Sequence, residues 1–235
     1  ITLGIGSRLG KWWPTIGLAI RVTFVGLVLG LVLGARSPDY IPWLATGWTV
    51  WGMISSAITG TSGAMSGNKG LMLALPMPKE AFVVKAIVKE VLLLAQNSLV
   101  VLGVLIVFRV PVTPAVLLLI PGLLMTAVFL YGLGLILAPL MAKYKDLGPF
   151  IASIIGVMFF VLPIMWQPES IQRELAHVIL GLNPLYHYLQ IVRLPLLSEV
   201  PTGLNYLLAG VGAIVVLGIG MLVMRQTRNK IVYWT

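Results

Sequence analysis

The residues best suited to a chemical role lie along one face of an apolar stretch near position 50. On a helix, an arc of about 80° holds two indole rings and three hydroxyls, namely Trp48, Trp51, Ser55, Thr59 and Ser62. Aromatic rings stack on the apolar faces of sugars, and hydroxyls beside them exchange hydrogen bonds with sugar hydroxyls. We predict that this stripe lines a path for a carbohydrate, with ordinary helix packing as the alternative. Further candidates for the lining are Tyr131, Phe159 and Phe160.

Arg21 is a charged residue inside an apolar stretch that is long enough to cross a membrane. An arginine at the centre of such a span costs on the order of 3 kcal/mol. It lies near 180° around the helix from Gly30, which forms overlapping small-residue motifs with Gly26 and Gly34. Such motifs favour close helix packing, either within one subunit or at a dimer seam. We predict that Arg21 faces a wet cytoplasmic vestibule and meets an anionic substrate group, with snorkelling to the interface as the alternative.

Residues 167–201 form an apolar but broken segment that holds the remaining polar candidates. Asn183 followed by Pro184 is typical of an N-cap and a first helical position. As helices, residues 169–181 and 184–198 would each measure about 20 Å, which is too short to span the bilayer. We predict two short re-entrant or interfacial helices that shape an exit, although their polar face has the alternative of facing water. The polar candidates here are Asn183, Tyr186, His187, Gln190 and Arg193.

Several catalytic arrangements are missing from the sequence. The seven carboxylates, at positions 39, 80, 90, 146, 169, 174 and 199, are predicted in connections or at the ends of spans. They therefore offer no pair for acid–base or Mg²⁺ chemistry and no centre for an ion-coupled carrier. His177 and His187 lack the further ligands of a metal site. The run Gly10-Lys11-Trp12 lacks the Ser or Thr and the spaced glycine of a phosphate loop, so we predict no catalytic residue and no ATP hydrolysis by this chain alone.

Membrane helices must position these residues, because the composition is far from that of a soluble domain. Of the 235 residues, 59% are apolar and 10% are charged, and the mean hydropathy is +1.01. A soluble domain carries about 25% charged residues. We predict an all-α polytopic membrane protein that forms one transmembrane domain over residues 1–235. Its six predicted spans are 12–34, 41–63, 82–108, 112–141, 147–166 and 203–224.

The basic residues orient these spans. With six spans both termini lie on one side, and that side holds eleven Lys and Arg against four on the other. The positive-inside rule therefore predicts that both termini are cytoplasmic. A net charge of +9 would point to nucleic acid in a soluble chain. Here the charges lie at the predicted membrane boundaries, so we expect no nucleic-acid partner.

The cytoplasmic connection over residues 64–90 is too long for a simple turn. It contains four lysines and a Pro-Met-Pro break. Residues 71–75, before Pro76, are predicted to form one or two helical turns at the membrane surface. An ordinary basic anchor at the interface is the alternative interpretation.

Seven short segments together resemble the ABC-2 family of exporter membrane subunits, in particular permeases for O-antigen, capsular and teichoic-type polysaccharides. The resemblance covers essentially the whole chain. It rests on the order and spacing of residues 7–13, 75–80, 142–147, 163–166, 183–187, 191–196 and 230–234.

This resemblance implies a homodimer of six-span subunits bound to two ATP-binding subunits, which hold the ATP and Mg²⁺, so that this chain carries no cofactor. It also implies a channel between the two subunits lined by aromatic residues. Residues 67–78 would contain a coupling helix that docks on the ATPase. The contacts implied there are Asn68, Lys69, Leu71, Leu75, Pro76 and Pro78.

We therefore expect the channel-forming subunit of an exporter that moves a lipid-linked polysaccharide across the bacterial cytoplasmic membrane, in contact with membrane lipid. An ABC-2 exporter of a drug or a small lipid is the alternative, and a uniformly aliphatic channel would favour it. An intramembrane polyprenyl-phosphate transferase is a third hypothesis, which the lack of paired acidic residues disfavours.

Overall fold

The computed structural model describes residues 10, 12–32, 39–74, 78–168, 180–228 and 230–231. All regular secondary structure in these ranges is helical, which confirms the all-α prediction. The helices are α1 (Trp13–Val32), α2 (Tyr40–Gly60), α3 (Ser62–Ser66), α4 (Lys69–Ala74), α5 (Glu80–Val107), α6 (Leu119–Lys143), α7 (Leu147–Val161), α8 (Pro184–Leu196) and α9 (Gly203–Thr227). A 3-10 helix, Pro114–Leu118, leads into α6.

Four of the described helices are long and apolar enough to cross a membrane. These are α1, α5, α6 together with its 3-10 turn, and α9. They correspond to the first, third, fourth and sixth predicted spans. Helix α2 is continuous over 21 residues, the length of a span, but indole and hydroxyl side chains interrupt its apolar sequence. Helix α7 is apolar but has only 15 residues, which is about 22 Å of helix.

The fourth predicted span agrees with Pro114–Lys143 to within two residues at each end, but its first turn is not α-helical, and the fifth predicted span is longer than its helix. Helix α6 begins at Leu119 rather than at 112, because Thr113 is extended and Pro114 starts a separate 3-10 turn. Helix α7 ends at Val161 rather than at 166. Leu162 is extended, with φ −76° and ψ 145°, because a residue that precedes a proline avoids the helical conformation.

The chain after α7 folds back onto the first turn of α2. Tyr40 Oη donates a hydrogen bond to the carbonyl oxygen of Met165 (2.9 Å), and Trp43 Nε1 donates to that of Trp166 (3.2 Å). Ile164 is fully buried beside them. The broken end of α7 is therefore fixed to α2 by hydrogen bonds from two α2 side chains to its backbone carbonyl oxygens.

Helices α6 and α9 run in the same direction at the centre of the fold. Tyr206 Oη donates to the Leu118 carbonyl oxygen near their first turns (3.1 Å). Further along, a Cβ atom added to Gly132 would lie 2.6 Å from the backbone of Leu217, and one added to Gly220 would lie 2.4 Å from the Gly132 carbonyl oxygen. The two backbones are in direct contact, which only glycine permits at this distance.

Helix α8 is buried against this pair. Tyr188 Oη donates to the Ala209 carbonyl oxygen of α9 (2.7 Å), and its ring stacks on Phe129 of α6 with centroids 4.1 Å apart. The Ile191 carbonyl oxygen lies against Gly122, where an added Cβ would be 2.4 Å away. The helix predicted over residues 184–198 is therefore present, and it is part of the subunit core.

Helix α1 lies at the periphery and packs on α2 and α5. Leu18 and Val22 meet Ala45 in a small hydrophobic cluster, and Thr15 Oγ1 donates to Asn97 Oδ1 (2.9 Å). Gly26 contacts α2, where an added Cβ would lie 3.3 Å from Ile41. The packing of Gly26 is thus within the subunit, and Gly34 lies outside the described residues.

We predict that Gly132→Ala will destabilise the protein by about 1–3 kcal/mol, the usual cost of overpacking, because the new methyl group would overlap the backbone of α9. The matched control is Gly218→Ala, where an added Cβ has no neighbour within 4 Å and alanine gains up to about 1 kcal/mol of helix propensity. The midpoint of thermal unfolding in detergent measures both. Equal midpoints for the two variants would contradict the close α6–α9 contact.

Candidate functional site

Aromatic residues of α2 and α7 meet in one place. The Trp48 and Phe159 rings are edge-on with centroids 5.4 Å apart, and the Phe159 and Phe160 rings are edge-on at 5.3 Å. Trp48 and Phe159 are half-buried, whereas Phe160 is 70% exposed. We call Trp48, Phe159 and Phe160 the aromatic cluster. It forms a continuous aromatic surface from the packed face of α2 to the outside of the subunit.

The predicted stripe on α2 is divided between two environments. Trp51 is only 4% exposed and belongs to the hydrophobic core, so it is separate from the surface at Trp48. Ser55 Oγ donates to the Gly52 carbonyl oxygen (3.2 Å) and Thr59 Oγ1 to that of Ser55 (2.8 Å). These half-buried hydroxyls are satisfied by the backbone of their own helix. Tyr131 is likewise half-buried and packs against the core from α6.

Local sequence explains how α8 begins. The Asn183 side chain accepts a hydrogen bond from the Leu185 amide (3.0 Å), and Pro184 follows at the first helical position, as predicted. The buried His187 ring is held at both nitrogens, 2.9 Å from Asn205 Oδ1 and 3.0 Å from the Gly181 carbonyl oxygen. The half-buried Tyr186 ring lies edge-on to it. Residues 169–179, most of the other predicted short helix, lie outside the described residues.

Arg193 of α8 is fully buried. Its guanidinium lies over the Trp43 ring, 4.0 Å from the centroid. Within the described part of the chain, none of its three side-chain nitrogens has a hydrogen-bond partner, and Gln190 Oε1 on the same helix also lacks one. A Cβ on Gly47 would lie 2.1 Å from Arg193 Nη2, so the missing side chain of Gly47 makes room for the guanidinium. Gln190 and Arg193 are therefore turned into the protein rather than toward water.

The contacts of Arg193 were not predicted from the sequence. Neither Trp43 nor Gly47 is among the candidate residues that the sequence indicates. The available signal was that Trp43 and Gly47 lie four residues apart on one helical face. That spacing indicates that the Trp43 ring lies beside the space left by the missing Gly47 side chain. It does not indicate which helix fills this space.

The segment between α2 and α5 contains the predicted helical turns. Helix α4 covers Lys69–Ala74, with Leu71 42% exposed and Met72 packed toward the core. Asn68 Nδ2 donates to the Ala64 carbonyl oxygen (2.9 Å), and Asn68 Oδ1 accepts from Lys85 Nζ (3.4 Å). Pro78 is exposed. Leu75, Pro76 and the side chain of Lys69 lie outside the described residues.

The start of α5 is also joined to the end of α9. Lys79 Nζ donates a hydrogen bond to the Arg228 carbonyl oxygen. Burial and the positive charge of Arg228 lower the pKa of Lys79, and Glu80 acts in the opposite direction. This contact and the turns of α3 and α4 lie at the same end of the molecule as the Asn68–Lys85 hydrogen bond.

A polar cavity of about 240 Å³ lies between α1, α2 and α5. Arg21 lines it, together with Trp48, Glu90 and Asn97. Glu90 was predicted at the end of a span, but its side chain is buried between packed helices. The described residues contain no group of three or more His, Cys, Asp or Glu that could hold a metal ion.

Comparison with known proteins gives a consistent result. The ABC-2 type transporter family matches residues 5–197, well over half of the chain. The chain is 23% identical over 187 residues to the O-antigen export system permease protein RfbA of Myxococcus xanthus, covering 77% of this chain and 70% of that protein. It is 24% identical over 185 residues to the protein of the same name from Klebsiella pneumoniae, covering 76% and 69% respectively.

We predict that Arg193→Met will leave the protein equally stable or stabilise it by about 1–4 kcal/mol, because an apolar chain of similar length removes an unpaired buried charge. Arg193→Ala is the control for volume and should destabilise by about 2–5 kcal/mol through the cavity it leaves. Thermal unfolding of the purified variants distinguishes the two outcomes. If methionine were as damaging as alanine, the surroundings of Arg193 would have to stabilise its charge.

Proposed function

The chain belongs to the ABC-2 type transporter family, and on this premise we propose that it exports a lipid-linked polysaccharide of the O-antigen type. Members of the family are membrane permeases that work with a separate ATPase subunit. The relatives from Myxococcus xanthus and Klebsiella pneumoniae, both named as O-antigen export permeases, support this class of substrate. The chain is accordingly a transport subunit rather than an enzyme.

The aromatic cluster is the observation that carries the proposal. Trp48, Phe159 and Phe160 offer flat rings in an unbroken row, and the row reaches the exposed surface of α7. A moving glycan needs weak contacts that exchange easily, since a tight site would stop it. Ring–sugar stacking provides such contacts without fixing the glycan in one register.

The proposed assembly is a homodimer of six-span subunits in the bacterial cytoplasmic membrane, with both termini cytoplasmic. Helices α2 and α7 supply the second and fifth spans. The parallel course of α6 and α9 supports this order, because the fourth and sixth spans must cross in the same direction. Phe160 would then face the channel between subunits, and the buried α8 would close its outer end, with Arg193 and Tyr186 near the exit.

Helix α4 is the proposed docking element for the ATPase. The exposed Leu71 would contact the partner, while Met72 on the same helix packs inward. Asn68 and Lys85 fix the start of this helix to α5. Movement of the ATPase would therefore be transmitted directly to α5, a long apolar helix.

Export of a drug or small lipid is the second candidate. It is favoured by the aliphatic residues beside Phe160 on α7, since Ile154 and Val157 are 42% and 59% exposed. The two candidates differ in their dependence on the aromatic rings. A small apolar substrate needs only an apolar surface, whereas a glycan needs the faces of aromatic rings on which its sugars stack.

We predict that Phe160→Ala will reduce the amount of glycan reaching the cell surface about fivefold, the effect of losing one aromatic contact. Its stability should change little because the ring is largely exposed. The control is Phe150→Ala, which removes the same side chain from the same helix at a site that is 61% exposed and about 15 Å away along the axis. Replacement by leucine that restores export would favour the drug or lipid candidate.

We predict that Leu71→Asp will weaken binding of the ATPase at least about tenfold. Burying a leucine side chain in the interface contributes about 1.5–3 kcal/mol, and a tenfold change in affinity corresponds to about 1.4 kcal/mol. Tyr144→Asp is the control, since Tyr144 lies in the connection between α6 and α7 and is 53% exposed. Co-purification of the ATPase with each variant is the measurement. Full binding by the Leu71 variant would remove α4 from the docking surface.

A further inference from the structure

The cavity between α1, α2 and α5 contains one charge of each sign. Arg21 enters it from α1 and Glu90 from α5. Glu90 is 6% exposed, and its Oε2 atom is buried without a hydrogen-bond partner among the described residues. Its Oε1 atom lies 3.6 Å from the Nζ atom of the largely exposed Lys89. A buried carboxylate that lines a cavity and lacks a donor at one of its oxygens indicates a ligand with a hydrogen-bond donor.

The guanidinium of Arg21 requires a polar partner. It is exposed on α1 next to Ile20 and Phe24, which are 61% and 68% exposed on the side of the helix that faces away from the subunit. A guanidinium on such a face is costly in hydrocarbon unless an anion or water meets it. The described residues place no carboxylate within ion-pairing distance of it. An anion that meets Arg21 would therefore come from outside this part of the chain.

The cavity lies where a lipid headgroup would be. The apolar run of α5 begins at Val91, directly after Lys89 and Glu90. Trp13, at the start of α1, also lines the cavity, and indole rings are enriched at the membrane–water interface. The hydrogen bond from Thr15 to Asn97 places the first turn of α1 about 10 Å beyond Glu90 along α5. The cavity therefore begins at the boundary on α5 and extends into its apolar part.

We propose that this cavity binds the headgroup of a zwitterionic membrane phospholipid that carries a primary ammonium. Arg21 contacts the phosphodiester, and the Glu90 carboxylate accepts a hydrogen bond from the ammonium. Asn97, whose Oδ1 atom is bound by Thr15 Oγ1, holds the first turn of α1 against α5 beside the site. A lipid bound there would fasten the peripheral helix α1 to the rest of the subunit.

Two observations favour a headgroup over the phosphates of the exported lipid carrier. The described ionisable groups that line the cavity are Arg21 and Glu90, one of each sign. A polyanion would meet a repelling carboxylate beside the arginine, whereas a zwitterion can match both charges. The volume of about 240 Å³ is also below the range of about 300–1,000 Å³ that encloses a drug-sized ligand. The inference does not depend on which substrate is exported.

Native mass spectrometry of the permease–ATPase complex, with added lipids in competition, tests this proposal. The wild-type complex should retain phosphatidylethanolamine about tenfold better than phosphatidylglycerol, which has no ammonium, and than phosphatidylcholine, whose ammonium has no hydrogen to donate. Glu90→Gln should abolish the preference while keeping the phosphate contact. Arg21→Gln should weaken retention of all three lipids. Asp146→Asn, which neutralises an exposed carboxylate between α6 and α7, is the matched control.

The wild-type comparison needs no variant, so it stands even if a substitution impairs folding. Equal retention of the three lipids, or a preference for phosphatidylglycerol, would overturn the proposal. Displacement of bound lipid by inorganic phosphate would also overturn it, because the site would then be one for soluble anions. Loss of preference in the Asp146 variant would show that the effect does not belong to this cavity.

Discussion

Direct backbone contact between α6 and α9 is the constraint on which the rest of the subunit depends. In a bilayer, lipid tails are as apolar as leucine, so helices associate through close packing rather than through exclusion of water. Gly132 and Gly220 provide that packing at the centre of the pair. The shared groove of these two helices receives α8, which is held by Tyr188 on α9 and by the Ile191 carbonyl oxygen against Gly122 of α6. A larger residue at the crossing would move all three helices.

The position of α8 in turn determines what packs against the first half of α2. Because α8 is fixed on two helices, Arg193 is brought to α2, where Gly47 leaves room for it and Trp43 covers it. Trp48 follows Gly47 directly and contacts Phe159 of α7. A continuous series of contacts therefore joins the central helix pair to the aromatic cluster.

The sequence was sufficient for the features that depend on local chemistry. Hydropathy located the long helices, the Asn183–Pro184 pair located the start of α8, and the prolines near residue 76 located a short helix. Features that depend on the neighbouring helix could not be predicted from the sequence. Periodicity placed Trp48 and Trp51 on one face, but it could not say that Trp51 faces the core while Trp48 meets α7. The glycine motif of α1 is the one that the sequence indicates most clearly. The closest helix contact nevertheless uses Gly132 and Gly220, which lie on helices far apart in sequence.

Exposed apolar surface is a poor guide to function in this molecule, because lipid tails are as apolar as the side chains that they cover. Helices α1, α5, α7 and α9 all expose large aliphatic side chains, and lipid or a second subunit would cover them equally well. Polar and aromatic groups are different, because hydrocarbon leaves their hydrogen bonds or stacking faces unused. Arg193 with Trp43, the ring series that ends at Phe160, and the Arg21–Glu90 cavity are therefore the places where the chain departs from what folding in lipid requires. These departures lie on three different helix contacts, so each proposed role can be tested by a substitution that leaves the α6–α9 pair intact.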